Sequence, residues 1–153
     1  MTQLKSYANT QVALSKTQES LEKLLTAHGI RASRWTHFAE VGAKPGSVVF
    51  EFEWRKTPEK LPLGFRIAVD YKGERGPQGG QKGTTREQAG RALYWHVKNL
   101  FDAVDFGIVE LEQAFMPYLL LPDGDTAYER WAPRFEELLE KADLPPLLGE
   151  GRS

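Results

Sequence analysis

The sequence contains no cysteine, only two methionines and no long apolar run. Without cysteine there is no disulfide framework, no thiolate metal site and no cysteine nucleophile. The N-terminal stretch MTQLKSYANTQVALS lacks the apolar core of a signal peptide, and no window reaches the roughly 18 apolar residues of a membrane helix. We therefore expect a cytoplasmic protein that has no membrane partner.

Complete catalytic signatures are also missing. His28, His37 and His96 are not spaced as zinc ligands or as part of a hydrolase triad. The glycine-rich stretch YKGERGPQGGQKGT resembles a phosphate loop, but Lys82 precedes Gly83, which reverses the Walker order, and Gly-x-Gly-x-x-Gly does not occur. We expect residues 73–84 to form a flexible basic loop, and we expect no cofactor.

The composition indicates one packed domain with an uneven charge distribution. A chain of 153 residues that is 41% hydrophobic is large enough to bury a core. Residues 1–100 carry 16 Lys and Arg against 9 Asp and Glu, whereas residues 101–153 carry 4 against 12. A basic part can attract phosphates and an acidic part can contact a basic partner, although the two parts could also pack together. We expect loose ends at residues 1–10 and 144–153.

Three alternating segments predict a sheet that follows a first helix. SKTQESLEKLLTAHG has a helical apolar stripe, and Ser15 with Gln18 fits a capping box. RASRWTHFAEV, SVVFEFEWRK and GFRIAVDYK have the two-residue period of strands. In the second strand Val48, Phe50, Phe52 and Trp54 share the face that we expect in the core. The short connectors favour an antiparallel meander.

The period changes to that of helices after the glycine-rich stretch. TTREQAGRALYWHVKNLFDAV predicts a long amphipathic helix capped by Thr84 and Glu87, and helical structure continues to about Met116. In DTAYERWAPRFEELLEKA an apolar stripe recurs at steps of three and four residues, and its simplest interpretation is core packing. This stripe consists of Tyr128, Trp131, Phe135, Leu138 and Leu139. The fold class is α+β: an N-terminal helix, a three-stranded antiparallel meander sheet, then two or three C-terminal helices.

The first functional hypothesis is a non-catalytic protein that binds nucleic acid, with single-stranded DNA as the expected partner. Unpaired bases stack on aromatic rings while Lys and Arg neutralise phosphates. The hypothesis requires that the cationic side chains gather on one exposed surface. The candidate binding residues are Arg34, Phe38, Arg55, Arg66, Lys72, Arg75, Lys82 and Arg86.

The second hypothesis is a Mg²⁺-dependent nuclease. The order of helix, three antiparallel strands and helix, with acids on the second strand and Asp-x-Lys on the third, resembles the PD-(D/E)xK nuclease core. The resemblance implies Glu51 or Glu53 together with Asp70 as metal ligands and Lys72 as the residue that orients the nucleophile. The Pro-Asp of that family is missing here, which is a point against this hypothesis. A Mg²⁺ cofactor is expected under this alternative alone.

A third hypothesis depends on the C-terminal stripe. If that stripe is exposed rather than buried, the chain is an adaptor or a homo-oligomer whose C-terminal helices form an interface.

Both ends of the chain resemble short bacteriophage and mobile-element proteins of unknown function. The resemblance lies in VALSKTQESLEKLLTAHGI and in LPDGDTAYERWAPRFEELLEKADLPPLL, which includes a Leu-Pro-Asp-Gly-x-Thr segment. It implies no catalytic residues. A phage setting implies work near replication or recombination, which favours nucleic-acid binding over an adaptor role.

Overall fold

The computed structural model describes residues 12–72, 74–75, 81–82 and 85–141, so the predicted loose ends and most of the predicted loop lie outside the described residues. Within that part the chain forms an N-terminal helix, a three-stranded sheet and C-terminal helices, which confirms the α+β prediction. The elements are α1 (Leu14–Ala27), β1 (Ala32–Phe38), β2 (Gly46–Trp54), β3 (Leu63–Tyr71), β4 (Glu74–Arg75), β5 (Gln81–Lys82), α2 (Arg86–Asp105), α3 (Leu111–Phe115) and α4 (Ala127–Lys141).

Helix α1 forms because its apolar residues recur on one face, of which Leu21 and Leu25 are buried. Its N-cap is Ala13, which makes no side-chain cap hydrogen bond. The predicted capping box of Ser15 and Gln18 is therefore wrong, since both residues lie inside the helix. Gly29 ends the helical turn with a φ of 75°, a value that glycine adopts without the steric cost of a Cβ atom.

The sheet has the order β1-β2-β3, and both pairs are antiparallel, as the meander predicts. The register places Trp35 opposite Phe50 and Phe50 opposite Ile67, so these three side chains lie on the inner face. Alternation then places Arg34, Glu51 and Arg66 together on the outer face. Helices α1 and α2 pack on the inner side.

Helix α2 begins one residue later than the predicted cap. Thr85, not Thr84, is the N-cap, and it forms a reciprocal capping box with Gln88 rather than with Glu87. The helix buries Ala89, Leu93, Val97 and Phe101 together with Gly90. Gly107, with a φ of 75°, separates α2 from the short α3, so the predicted continuous helix is interrupted.

The core is an aromatic cluster where the sheet meets the helices. The ring centroid of Phe52 lies 5.1 Å from that of Phe65 and 5.2 Å from that of Phe115. Phe101 of α2 lies 5.0 Å from Phe115, which closes the cluster across the helical layer. Such ring pairs contribute about 0.5–1.5 kcal/mol each beyond area burial.

A tight turn after the 3₁₀ helix Met116–Tyr118 positions α4. The N–H of Leu120 donates to the carbonyl of Gly64 at 2.8 Å, which attaches the chain to the free edge of β3. The N–H of Ala127 donates to the carbonyl of Leu119 at 2.8 Å and closes the turn. Helix α4 therefore starts at the edge of the sheet, not over its inner face.

Part of the glycine-rich stretch is ordered as strand. Residues 74–75 and 81–82 pair antiparallel as β4 and β5, so this stretch folds back on itself. No helix within the described residues is both long and apolar enough to cross a membrane.

Candidate functional site

The outer face of the sheet carries a charged row across its three strands. Glu51 of β2 accepts hydrogen bonds from Arg34 Nε at 2.9 Å and from Arg66 Nε at 3.2 Å. Both arginines therefore direct their positive charge at a carboxylate of their own chain, and only 12% of that Glu51 side chain is exposed. Arg66 also donates to the carbonyl of Gly124 at 3.1 Å.

The other predicted cations lie apart from this row. Arg55 follows β2 and donates to the carbonyl of Pro58, while Arg86 pairs with Glu87 at the start of α2. Lys72 is exposed at the end of β3 and has a partner of its own. For Arg75 and Lys82 the structure describes the backbone alone. Each predicted cation whose side chain the structure describes therefore has a partner within its own chain.

Phe38 is exposed, which stacking against a base would require. It lies at the end of β1 on the outer face and exposes 56% of its surface. At the opposite edge of this face, a cleft of about 480 Å³ lies between β3 and α4. Arg66, Tyr118 and Tyr128 line the cleft. The outer face thus has an aromatic side chain at each end.

The residues of the nuclease hypothesis do not converge. Glu51 is opposite Arg66, and Asp70 lies four residues further along β3 than Arg66. At 3.3 Å per residue, the backbone positions of Arg66 and Asp70 are about 13 Å apart. Glu53 lies opposite Gly64, further still from Asp70. Mg²⁺ holds its ligands at about 2.0–2.1 Å, so one ion cannot bridge Glu51 and Asp70. In the ranges that the structure describes, His, Asp and Glu form no group of three that could hold a metal.

A polar pair on the inner face was not predicted from the sequence. His37 Nε2 hydrogen-bonds the hydroxyl of Tyr71, and the two rings stack 5.7 Å apart. Burial, and next the charge of Glu40, raises the pKa of Tyr71. The charge of Glu87 also acts on Tyr71. Burial tends to raise the pKa of Glu87, but hydrogen bonds from Arg86 and from the backbone outweigh burial, so the pKa of Glu87 is lowered. Nothing in the spacing of residues 37 and 71 indicates this contact.

Helix α4 exposes the apolar stripe that was expected to be core. The side chains of Tyr128, Trp131, Phe135, Leu138 and Leu139 expose between 51% and 63% of their surfaces. The core interpretation of this stripe is therefore wrong. The whole helix is highly amphipathic, yet Ala127 is its one residue that is buried.

The start of α4 is firmly held, which fixes the direction of the stripe. Glu129 accepts hydrogen bonds from the N–H of Thr126 at 3.1 Å and from its hydroxyl at 2.9 Å. The backbone N–H of Glu129 donates to the hydroxyl of Thr126, which completes a capping box. Arg130 forms an ion pair with Asp123 in the preceding turn.

An apolar groove lies beside the start of the stripe. It has a volume of about 250 Å³. Met116 and Pro117 form one wall, and Trp131 and Phe135 of α4 form the other. Met116 is itself 48% exposed, so the apolar surface continues from α4 onto the body of the protein. We call this surface, formed by the stripe, Met116 and Pro117, the α4 face.

Comparison with protein-family models, with curated proteins and with solved structures found no match for this chain. The resemblance of its two ends to bacteriophage proteins therefore stays a prediction.

Proposed function

We propose that this chain is a protein-interaction module that binds a partner through the α4 face. The observation that carries the proposal is the exposure of five large apolar side chains on one side of a helix whose start is fixed. Monomeric proteins rarely expose contiguous apolar patches of more than a few hundred Å², and larger patches mark interaction sites. An amphipathic helix with such a face also fits helix-in-groove recognition.

The proposal has an energetic basis. Full burial of a large apolar side chain contributes about 1.5–3 kcal/mol, and here five such side chains still have half or more of that burial to gain. Because the capping box and the Arg130–Asp123 ion pair already order the start of α4, less of this gain is lost to ordering the helix on binding.

Leu138→Gln is expected to separate interaction from folding. Leu138 is 61% exposed, so we expect the substitution to change the free energy of unfolding of the monomer by less than about 0.5 kcal/mol. Proteins that the wild type retains in affinity capture from its source cells should be lost. Chemical denaturation and quantitative capture measure the two effects.

The matched control is Leu61→Gln, which makes the same change at a leucine that is 83% exposed and lies outside α4. This variant should retain the same proteins as the wild type. The proposal fails if Leu138→Gln also retains them, or if it destabilises the monomer as a core substitution would.

We propose the binding of single-stranded nucleic acid on the outer sheet face as a second candidate function. The supporting observation is the aromatic side chain at each end of this face, Phe38 on β1 and Tyr128 beside the cleft, with Arg34 and Arg66 between them. Base stacking on such rings contributes about 1–3 kcal/mol per base. The ion pairs of both arginines with Glu51 weigh against strong phosphate binding.

This second function predicts salt-dependent affinity for labelled single-stranded DNA. Affinity should fall as salt rises, and Phe38→Ala should weaken it about fivefold or more, since one stacking contact is lost. Fluorescence anisotropy across a salt series measures both effects, with duplex DNA as the comparison. Tight binding that is unchanged across salt and insensitive to Phe38→Ala would contradict this second function. Cleavage of the labelled DNA when Mg²⁺ is added would favour the nuclease hypothesis.

A further inference from the structure

We propose that the cleft between β3 and α4 binds a guanine base. This inference goes beyond the proposed protein interaction and does not depend on it. It follows from the size of the cleft, from the aromatic rings that line it and from the hydrogen-bonding groups that its charged side chains leave for a ligand.

The cleft has the size and the lining of a small-ligand site. Its volume of about 480 Å³ lies within the range of about 300–1,000 Å³ that is usual for ligand pockets. Strand β3 contributes Arg66 and Ala68, and the chain from 117 to 129 contributes two tyrosines, Tyr118 and Tyr128. A mostly apolar lining with a few charged groups suits a flat aromatic ligand.

The ring of Tyr118 is held in place by α2. Its hydroxyl forms a hydrogen bond of 2.7 Å with Nε2 of His96, and the two rings meet edge to face with centroids 5.6 Å apart. Burial raises the pKa of Tyr118, so this ring stays uncharged at neutral pH. Tyr128, which is 63% exposed, supplies a second ring that a ligand can cover.

Glu129 brings a carboxylate that its own chain uses only in part. Its Oε1 accepts both hydrogen bonds from Thr126, whereas its Oε2 accepts none from the residues that the structure describes. Hydrogen bonds from the backbone and the hydroxyl of Thr126, and then the charge of Arg66, lower the pKa of Glu129. The carboxylate is therefore ionised at neutral pH and acts only as an acceptor, which selects a ligand with N–H donors.

Arg66 brings donors to the same cleft. Its Nε and Nη2 contact Glu51, and its Nη1 donates to the carbonyl of Gly124. Because a guanidinium has five N–H groups, these contacts with the described residues leave at least two for a ligand. A ligand that fits the cleft therefore combines N–H donors for Glu129 with an acceptor for Arg66.

Guanine is the common base that meets both requirements. Its Watson–Crick edge has two adjacent donors, N1–H and N2–H, for the two lone pairs of Glu129 Oε2, and its O6 is an acceptor for Arg66. Adenine and cytosine place an acceptor nitrogen next to their amino group. Thymine and uracil have a single N–H between two carbonyl groups. Each of these bases would direct an acceptor at the ionised carboxylate.

Charge distinguishes guanine from an arginine side chain of a partner protein. A guanidinium also offers adjacent N–H donors, but it is a cation. The charge of Arg66 acts on Glu129, so a second cation at this carboxylate would be repelled by Arg66. Guanine is neutral and gives Arg66 an acceptor instead. The base can belong to a free nucleotide or to a single strand, and the experiment has an arm for each source.

Isothermal titration calorimetry of the full chain with GMP and with AMP is the first arm. We expect GMP to bind about tenfold or more tightly than AMP, and Glu129→Gln to weaken GMP binding by about the same factor. The new amide oxygen can still accept from Thr126, so the start of α4 is kept. Glu136→Gln is the matched control, because it removes the same charge from an exposed position of α4 outside the cleft.

A short thymidine strand with one central guanine, and the same strand with adenine in its place, form the second arm. If GMP binds and neither strand binds more tightly than GMP, the ligand is a free nucleotide, and the second candidate function fails while this inference stands. If the strands bind equally well, nucleic-acid binding stands and the guanine site falls.

Tyr128→Leu tests the same cleft without changing the capping box. We expect it to weaken guanine binding about fivefold or more, since one stacking surface is lost. The inference is overturned if neither arm shows a preference for guanine or if Glu129→Gln binds GMP as the control does. Tighter binding of arginine methyl ester than of GMP also overturns it, because the cleft then takes a cationic side chain.

Discussion

Phe115→Ala is expected to lower the free energy of unfolding by about 3–5 kcal/mol, the usual cost of truncating a buried phenylalanine. The side chain of Phe115 is fully buried and its ring lies within 6 Å of those of Phe52, Phe65 and Phe101. Removing it opens a cavity where the sheet, α2 and α3 meet. Chemical denaturation followed by far-UV circular dichroism measures the loss.

Phe135→Ala is the matched control, since it makes the same chemical change at a ring that is 51% exposed on α4. At concentrations where the protein is monomeric, we expect a change of at most about 1 kcal/mol. Equal costs at the two positions would show that the α4 face belongs to the core of the monomer. A large difference would separate the residues that hold the fold from those that are available to a partner.

The sheet was predictable because strand alternation leaves few choices. In β2 every second residue from Val48 to Trp54 is large and apolar, so a strand with one buried face is the arrangement that covers them. The short connectors then require antiparallel neighbours. The start of α2 was predictable to within one residue, since Thr84 and Thr85 both offer a hydroxyl and the sequence pattern does not select between them.

The role of α4 was not predictable from its pattern. Apolar residues at steps of three and four show that a helix has one apolar face, but a core face and an interface have the same spacing. The difference arises from the turn before α4, which attaches to the edge of β3 at Gly64 and directs the helix away from the core. That attachment joins residues far apart in sequence.

The electrostatics of the outer face depend on register in the same way. A count of charges makes the first two thirds of the chain basic, and it treats Arg34 and Arg66 as free cations. The register places Glu51 between them, so two of the predicted binding residues neutralise one largely covered carboxylate. The pairing of His37 with Tyr71 likewise requires the strand order and a glycine between the two side chains.

That glycine is Gly46, and Gly46→Ala is expected to lower the free energy of unfolding by about 2–4 kcal/mol. A Cβ atom at this position would lie 2.2 Å from Cζ of Tyr71, far inside any van der Waals contact. Tyr71 is buried and crosses Gly46 to reach His37, so its ring has to move and the hydrogen bond to His37 breaks. Denaturant titration provides the measurement.

Gly64→Ala provides the control within the same sheet, because its new Cβ would meet Leu120 at an ordinary 3.5 Å. We expect a change of no more than about 0.5 kcal/mol there. A second comparison uses Tyr71→Leu, in which the ring is absent: adding Gly46→Ala to that variant should cost at least about 1 kcal/mol less than adding it to the wild type. If the cost is the same in both backgrounds, the ring of Tyr71 is not what requires glycine at this position.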